Sequence, residues 1–302
     1  MARGRTVRVA RLVVGGVLLV VMLAGCTRAD LEDKLRFGWP RGATAEAADM
    51  RVLWTWSSVA ALTVGVLVWG LIFWAVIVYR RRGDELPKQT KFNLPLEFFY
   101  TGVPFIIIAV LFGYTVATQS QVVSLTAKPD TQVNVMAFKW NWEFQYPDKR
   151  DPQTNDFVYT IGSSEEIPIL VMPGQKKVRF TETSNDVVHS FWVPEFLFKR
   201  DVFPTPVNQF ELTATRAGSY VGRCAELCGT YHSQMNFEVR VVSDSDYRRY
   251  LDELAALGNA DPDRQAKALT AIGQPPRATT TYPFETGRLD RAPSERSSTE
   301  GG

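Results

Sequence analysis

Two long stretches without a charged side chain constrain the fold of this 302-residue sequence more than any other feature. Residues 53–79 carry no charge, begin with two tryptophans and end at three consecutive arginines, residues 80–82. A helix needs about 20 apolar residues to span a bilayer, and tryptophan favours the membrane interface. Residues 98–127 are also uncharged, and we predict the second span at about residues 97–118. The alternative for either stretch is a buried helix of a soluble protein.

The segment that joins the two spans indicates their orientation. It carries Arg80, Arg81, Arg82, Lys88 and Lys91. Basic loops stay on the cytoplasmic side of a membrane. The predicted two-helix hairpin, residues 53–119, then has both flanks outside. We therefore expect a multi-pass protein of the bacterial cell membrane, with a linker at residues 26–52 and the domain after the hairpin on the extracytoplasmic side.

The N-terminus has the pattern of a lipoprotein-type signal peptide, residues 1–25. Four arginines precede an apolar run that is short for a bilayer span. The run ends in Leu23-Ala24-Gly25-Cys26, which resembles a bacterial lipobox. We predict cleavage before Cys26 and acylation of its thiol, which would add a contact with membrane lipid. An uncleaved signal anchor with a chance cysteine is the alternative.

Residues 120–243 have the pattern of an all-β sandwich. Short segments rich in β-branched and aromatic residues alternate with Pro and Gly turn signals, and no long helical pattern intervenes. The predicted strands are residues 133–142, 158–161, 167–171, 177–183, 207–214, 218–223 and 234–242. The fold class is thus a membrane-anchored, mixed one. The net charge of +2 gives no indication of nucleic-acid binding.

The C-terminal part, residues 244–302, is expected to contain one short helix followed by a mobile tail. Residues 244–258 have an amphipathic pattern, with a capping residue at Ser243 or Asp244 and a stop at Gly258. The remaining residues are rich in Pro, Thr, Ser, Arg and Gly, a composition typical of mobile segments.

Residues that bind metals are scarce and concentrated. The chain has three cysteines and two histidines. Cys224, Cys228, His232 and Met235 fall within twelve residues, and the other histidine is His189. Soft thiolate and thioether ligands favour copper, whereas imidazole suits copper or zinc. A mononuclear blue-copper site takes one cysteine, so two thiolates here could bridge two metal ions that share the charge of one electron.

Two other interpretations of these residues stay open at this point. A disulfide between Cys224 and Cys228 is plausible outside the cytosol, but it leaves His232 and Met235 unexplained. A structural zinc ion held by two cysteines and two histidines gives Met235 no role.

The segment from Cys224 to Met235 resembles the CuA motif of cytochrome c oxidase subunit II, Cys-x-Glu-x-Cys-Gly-x-x-His-x-x-Met, and meets every position. The resemblance implies a cupredoxin-like fold for residues 120–243 and two bound copper ions. It implies that Cys224 and Cys228 bridge the coppers. His189 and Met235 then complete one copper, and His232 with the backbone carbonyl of Glu226 completes the other. The Glu226 carboxylate would also reach a magnesium ion shared with subunit I.

Matches outside the motif extend the resemblance. Trp140-Asn141-Trp142 resembles the family's Trp-x-Trp patch, in which the first tryptophan accepts electrons from cytochrome c. That implies the same role for Trp140, although alternating tryptophans on a strand can simply pack one face. Asp186-Val187-Val188-His189-Ser190 resembles the segment around the first histidine ligand. Lys199-Arg200-Asp201 resembles a stretch that faces subunit I, but Thr205-Pro206 stands where the family usually has Gly-Arg.

Glu97 begins a segment that resembles the family pattern Glu-x-x-Trp-Thr-x-x-Pro, with Tyr100 in place of the tryptophan. The matching glutamate lies at the cytoplasmic mouth of a proton path into subunit I. A carboxylate at a helix start is also a common partner of the helix dipole.

The resemblance implies a function within a complex. The chain would accept electrons from a c-type cytochrome or a cytochrome bc complex and pass them to the haem centres of subunit I, in an oxidase that also contains subunit III. Oxygen reduction and proton pumping would belong to the whole complex. The sequence has no Cys-x-x-Cys-His, so we expect haem only in subunit I. A quinol oxidase subunit would lack the copper ligands, and a nitrous oxide reductase would need a histidine-rich domain. A membrane-tethered copper carrier or assembly protein is the remaining alternative.

Overall fold

The computed structural model describes residues 33–84, 86 and 89–281. The predicted signal peptide, Cys26 and Lys88 lie outside the described residues. Contacts divide the chain into two compact units. One contains the described residues up to Arg41 together with Val52–Glu97, and the other contains Gly42–Arg51 and the residues from Phe98 onward.

Two long helices account for the uncharged stretches: α1, Ala45–Val78, and α2, Leu94–Val122. Both are long and apolar enough to cross a membrane, and their apolar windows are not buried by other parts of the protein. Helix α1 begins earlier than the apolar stretch because Thr44 caps it, with its hydroxyl accepting a hydrogen bond from the Ala47 N–H at 3.1 Å. The first turns of α1 therefore lie within the predicted linker.

In the first unit, a stacked tryptophan pair lies beside the start of the apolar stretch. The rings of Trp39 and Trp54 are 4.6 Å apart and nearly parallel. The indole N–H of Trp54 donates to the backbone oxygen of Arg36 at 3.0 Å. Trp54 thus has an apolar contact and a polar one, which suits a residue at a membrane interface.

In the second unit, two five-stranded sheets form a sandwich. Their order is β3-β2-β1-β5-β8 in the first sheet and β4-β10-β9-β6-β7 in the second. The strands are β1 Thr131–Phe138, β2 Asn141–Arg150, β3 Phe157–Ile161, β4 Ile169–Pro173, β5 Lys177–Ser184, β6 His189–Val193, β7 Phe198–Val202, β8 Asn208–Thr213, β9 Gly218–Cys224 and β10 Asn236–Val242. Alternate residues of β1, β2 and β5 are buried, as expected for strands with one face in a core. The sandwich fold is confirmed.

The core between the sheets is aromatic. Phe191 lies at its centre, stacked 4.8 Å from Phe237 and edge-on to Trp142. Phe180 and Phe210 stack at 4.9 Å beside it. These fully buried rings give the strands of both sheets a rigid support.

The strand predictions differ from the structure in two ways. The segment 133–142 is two strands, because Phe138 pairs with Asn141 and the chain reverses at Lys139 and Trp140. β6 and β7 were not predicted. β6 is buried at four of its five residues, so it lacks the alternation that marks a strand, and Pro194 follows it directly.

The helix predicted at residues 244–258 is confirmed as α3, Asp244–Leu257. The Ser243 hydroxyl accepts from the Asp246 N–H, and the helix ends at Gly258 with a φ of 77°. The prediction of a mobile tail directly after Gly258 was wrong for the residues up to 281. A further helix, α4, spans Arg264–Ala271 and buries Leu269. Its polar sequence and short length hid the apolar face.

After α4, residues 275–280 lie against β10, and we call them the C-terminal strap. The strap is held by an ion pair between Glu238 and Arg240, both of which are fully buried. Arg240 also donates to the backbone oxygens of Pro275 and Arg277, and Glu238 accepts from the N–H groups of Thr279 and Thr280. The charges of the pair thus satisfy the backbone of the strap.

Candidate metal centre

The end of one sheet brings the predicted ligands together. β6 begins at His189, β9 ends at Cys224, and β10 begins directly after Met235. Backbone hydrogen bonds of 3.0 Å join Cys224 N–H to the Met235 oxygen and Ala225 N–H to the Ser190 oxygen. Residues 224–235, which we call the metal loop, are therefore fixed at both ends by regular strand pairing.

The six ligands that the resemblance implies lie close together at this loop. The sulfurs of Cys224 and Cys228 are 3.9 Å apart. Nδ1 of His189 lies 3.8 Å from the Cys224 sulfur, and Nδ1 of His232 lies 3.6 Å from the Cys228 sulfur. The Met235 sulfur is 3.8 Å from the Cys228 sulfur, and the Glu226 backbone oxygen is 3.2 Å from the Cys224 sulfur.

These distances fit ligands of a common metal site. Two ligands bonded to one ion at about 2.0–2.3 Å with tetrahedral angles lie roughly 3.3–3.8 Å apart. The ligand atoms of His189, Cys224 and Cys228 all lie within 4.8 Å of one another and are buried. A disulfide would need sulfurs about 2.05 Å apart, whereas both thiols are free in this structure. The set of three sulfurs, two imidazoles and one carbonyl suits copper.

The two thiols differ in their acidity. Burial raises the pKa of the Cys224 thiol, but hydrogen bonds with His189 and with the backbone at Glu226 and Ser190 outweigh it and lower that pKa to about 7. Burial and the nearby charge of Cys224 raise the pKa of the Cys228 thiol to about 12. Only one thiolate forms readily near neutral pH, so a metal that binds both sulfurs must displace a proton from Cys228.

His189 is oriented by a carboxylate. Its Nε2 lies 2.8 Å from Asp186 Oδ1, which leaves Nδ1 toward the Cys224 sulfur. Asp186 is held in turn by the backbone N–H groups of Lys139 and Val187, both at 2.7 Å. A carboxylate behind a metal-binding histidine fixes the ring and its tautomer. Sequence reasoning did not assign this role to Asp186, although its position three residues before His189 could have indicated it.

His189 is fully buried. Burial by itself lowers the pKa of His189, but hydrogen bonds with Cys224 and Asp186 outweigh it, so the pKa is raised. The same hydrogen bonds hold the ring that a metal would use.

The two tryptophans of the Trp-x-Trp segment occupy different environments. Trp142 is fully buried, and its indole N–H donates to the Met235 oxygen at 3.2 Å. Trp140 is half-buried, and its indole N–H donates to the Cys228 oxygen at 3.2 Å. Both rings thus brace the metal loop, but only Trp140 has an accessible face. It borders a surface cavity of about 350 Å³ together with Tyr231, a residue that the sequence did not single out.

Two further predicted residues lie outside the cluster of sulfur and imidazole groups. The Glu226 side chain is exposed. Glu97 lies in the first turns of α2, where its carboxylate accepts a hydrogen bond from the Asn93 N–H at 2.9 Å. That contact is the helix-start role that the sequence offered as an alternative.

Comparisons with known proteins bear on this site. The family model described as "Cytochrome C oxidase subunit II, periplasmic domain" matches residues 131–242. The "Probable cytochrome c oxidase subunit 2" of Nocardia farcinica is 44% identical, over 95% of this chain and 90% of that protein. The "Cytochrome c oxidase subunit 2" of Mycobacterium bovis is 41% identical, over 91% of this chain and 88% of that protein.

A solved structure is also similar to part of the chain. It is the crystal structure of the periplasmic domain of subunit II of cytochrome oxidase from Bradyrhizobium japonicum. The two share 27% identity and a TM-score of 0.36, and the match covers 42% of this chain and 95% of that one.

Proposed function

This chain belongs to the cytochrome c oxidase subunit II family, and from that premise we propose that it accepts electrons at a dinuclear copper centre and passes them to the haem centres of subunit I. The observation that carries this proposal is the meeting of both histidines with Cys224, Cys228 and Met235 at one loop. These are the side chains that the resemblance to the family implies as copper ligands.

We assign the ligands as the motif does. Cys224, Cys228, His189, His232, Met235 and the Glu226 carbonyl would hold the copper pair, with the two thiolates shared between the ions as the motif implies. Bound in this way, a copper pair supplies one-electron transfer with little change in geometry. The chain's own contribution is to hold the ligands rigid: Asp186 orients His189, and the two strand ends fix the loop.

Trp140 is the proposed residue where electrons arrive from a c-type cytochrome or a cytochrome bc complex. Its indole N–H contacts the backbone of a proposed copper ligand, Cys228, and its other face borders the surface cavity. A donor that docks over this ring would be separated from the centre by one side chain and one hydrogen bond.

The remaining roles rest on the resemblance to the family and on the lipobox and charge patterns of the sequence. Subunits I and III would complete the oxidase, in which oxygen reduction is coupled to proton pumping. The Glu226 carboxylate would bind a magnesium ion shared with subunit I, which its exposure permits. Glu97 would stand at the mouth of a proton path, the acylated Cys26 would anchor the mature N-terminus in lipid, and the copper domain would lie on the extracytoplasmic side of the bacterial membrane.

A membrane-tethered copper carrier or assembly protein is the competing function. To separate the two, the chain carrying a C-terminal tag would be purified from mild-detergent extracts of its native membranes. We expect a haem-bearing large subunit to copurify and a reduced c-type cytochrome to be oxidised, more slowly in the Trp140→Ala variant. A chain that purifies alone and gives its copper to other proteins would contradict the proposal.

A further inference from the structure

Three contacts hold the Trp140 ring against the metal loop. Its indole N–H donates to the Cys228 oxygen at 3.2 Å. A side chain at Gly229, where φ is +120°, would begin 3.3 Å from the indole ring, so the backbone passes directly beside it. The third contact is Tyr231, whose ring meets Trp140 edge-on with centroids 5.0 Å apart and planes at 82°. Edge-to-face pairs of this geometry are attractive.

The backbone around Tyr231 is held in place, so its ring has a defined position beside Trp140. It immediately precedes the short 3-10 helix His232–Gln234, and its backbone oxygen accepts from the Gln234 N–H at 2.9 Å. The neighbouring His232 is a proposed copper ligand. The position of the Tyr231 ring is therefore tied to the same few residues that set the geometry of the metal centre.

The motif does not account for Tyr231. It occupies one of the variable positions between Gly229 and His232, to which the motif gives no ligand role. No residue in the described part of the chain hydrogen-bonds to its hydroxyl group. What its side chain contacts is the ring of Trp140, and both rings line the surface cavity together with Lys139, Asn141 and Ser163.

We propose that Tyr231 is a positioning residue for electron transfer, which keeps the Trp140 indole in hydrogen-bond contact with Cys228 while its other face stays open to the donor. This inference rests on the proposed function. Without the tyrosine ring, the indole can swing into the cavity and lose the Cys228 contact. Electron transfer weakens steeply when a gap opens in its path, and displacement of a reacting group by about 1 Å can cost a factor of 100.

The test compares Tyr231→Ala with Tyr231→Phe in the intact oxidase, because phenylalanine keeps the ring and loses only the hydroxyl. The rate at which a reduced soluble c-type cytochrome delivers electrons would be followed by stopped-flow absorbance. We expect Tyr231→Ala to slow delivery by roughly threefold to tenfold, the factor by which one aromatic contact shifts a population. Tyr231→Phe should stay close to the natural rate, and copper content and EPR spectrum should be unchanged in both.

A double variant decides whether Tyr231 acts through Trp140. If it does, Trp140→Ala with Tyr231→Ala is no slower than Trp140→Ala alone. Additive losses, or an altered EPR spectrum in Tyr231→Ala, would overturn the inference, as would a natural rate in Tyr231→Ala. If Trp140→Ala itself delivers electrons at the natural rate, the proposed path through Trp140 fails instead, so the two failures are distinguishable.

Discussion

The metal loop and the C-terminal strap are both irregular segments attached to β10, but they are held by different chemistry. The loop is joined to the strands by backbone hydrogen bonds, and its two thiols, its thioether and the imidazole of His232 contact one another. The strap is held by the buried charges of Glu238 and Arg240. The ligand groups of the loop are arranged to bind a metal, whereas the backbone polar groups of the strap are already paired with side chains of the same chain.

This difference shows that the metal site and the attachment of the strap depend on different residues. The metal site uses the loop between β9 and β10, whereas the strap depends on Glu238 and Arg240 within β10. Burial alone raises the pKa of Glu238, but hydrogen bonds from Arg240 and from Thr280 and Thr279 outweigh it, so that pKa is lowered. Glu238 and Arg240 therefore both stay ionised and form an ion pair. Changes in the loop should alter metal binding with little effect on folding, and changes in the strap should do the reverse.

The largest effect is expected from Cys228→Ser. Serine is nearly the same size but supplies no soft thiolate, so the proposed second bridge between metal ions would be lost. We expect the dinuclear EPR signal to disappear, while the circular dichroism spectrum and the unfolding midpoint of the metal-free chain in detergent stay close to those of the natural chain. A folded variant that still shows a dinuclear copper signal would contradict the assignment of Cys228.

The next largest effect is expected from Arg240→Met, which leaves the carboxylate of Glu238 buried without its charged partner. Removing one member of a buried pair costs about 3–5 kcal/mol of folding free energy. The matched control is Glu238→Leu with Arg240→Met, which removes the unpaired charge and should recover part of the loss, since the N–H groups of Thr279 and Thr280 still lose their acceptor. Urea unfolding of the full chain in detergent measures both. An EPR spectrum that changes in Arg240→Met would show that strap and loop are coupled.

A second buried acid sharpens the contrast and is expected to give the smallest effect. Glu182 is fully buried in β5, and neither of its carboxyl oxygens has a hydrogen-bond partner among the described residues. Burial raises its pKa well above the ordinary 4.5, which the charge of Arg200 opposes and that of Asp201 supports. Above about pH 4.5, Glu182 thus keeps its proton in the folded chain but loses it in the unfolded chain.

The sign of the pH dependence follows from that proton. The Glu182 contribution is fully present below about 4.5 and is lost as pH rises toward the raised folded pKa, because folding must then take up a proton. Glutamine does not titrate, so Glu182→Gln should show a shallower fall in thermal midpoint as the pH rises above about 4.5. Parallel curves for the two proteins would mean that Glu182 is not the neutral buried acid described here.

The sequence predicted the features that are local in the chain. The spans were visible because charge is absent over whole stretches, and four of the metal ligands lie within twelve residues. The turn at Lys139 and Trp140 was missed because neither residue is a Gly or Pro that would mark a break between two apolar segments. The strap was missed because Glu238 and Arg240 alternate like solvent-facing residues of an exposed strand. Their pairing with a polar segment about 40 residues later is visible only in three dimensions.

The central claim is that the metal loop holds two copper ions that share one electron. It is tested most directly by copper analysis and low-temperature EPR of the full chain, purified in detergent without subunit I and loaded with copper. We predict two copper ions per chain and one unpaired electron delocalised over both. One copper ion with a mononuclear signal, or no copper and a Cys224–Cys228 disulfide, would contradict the account.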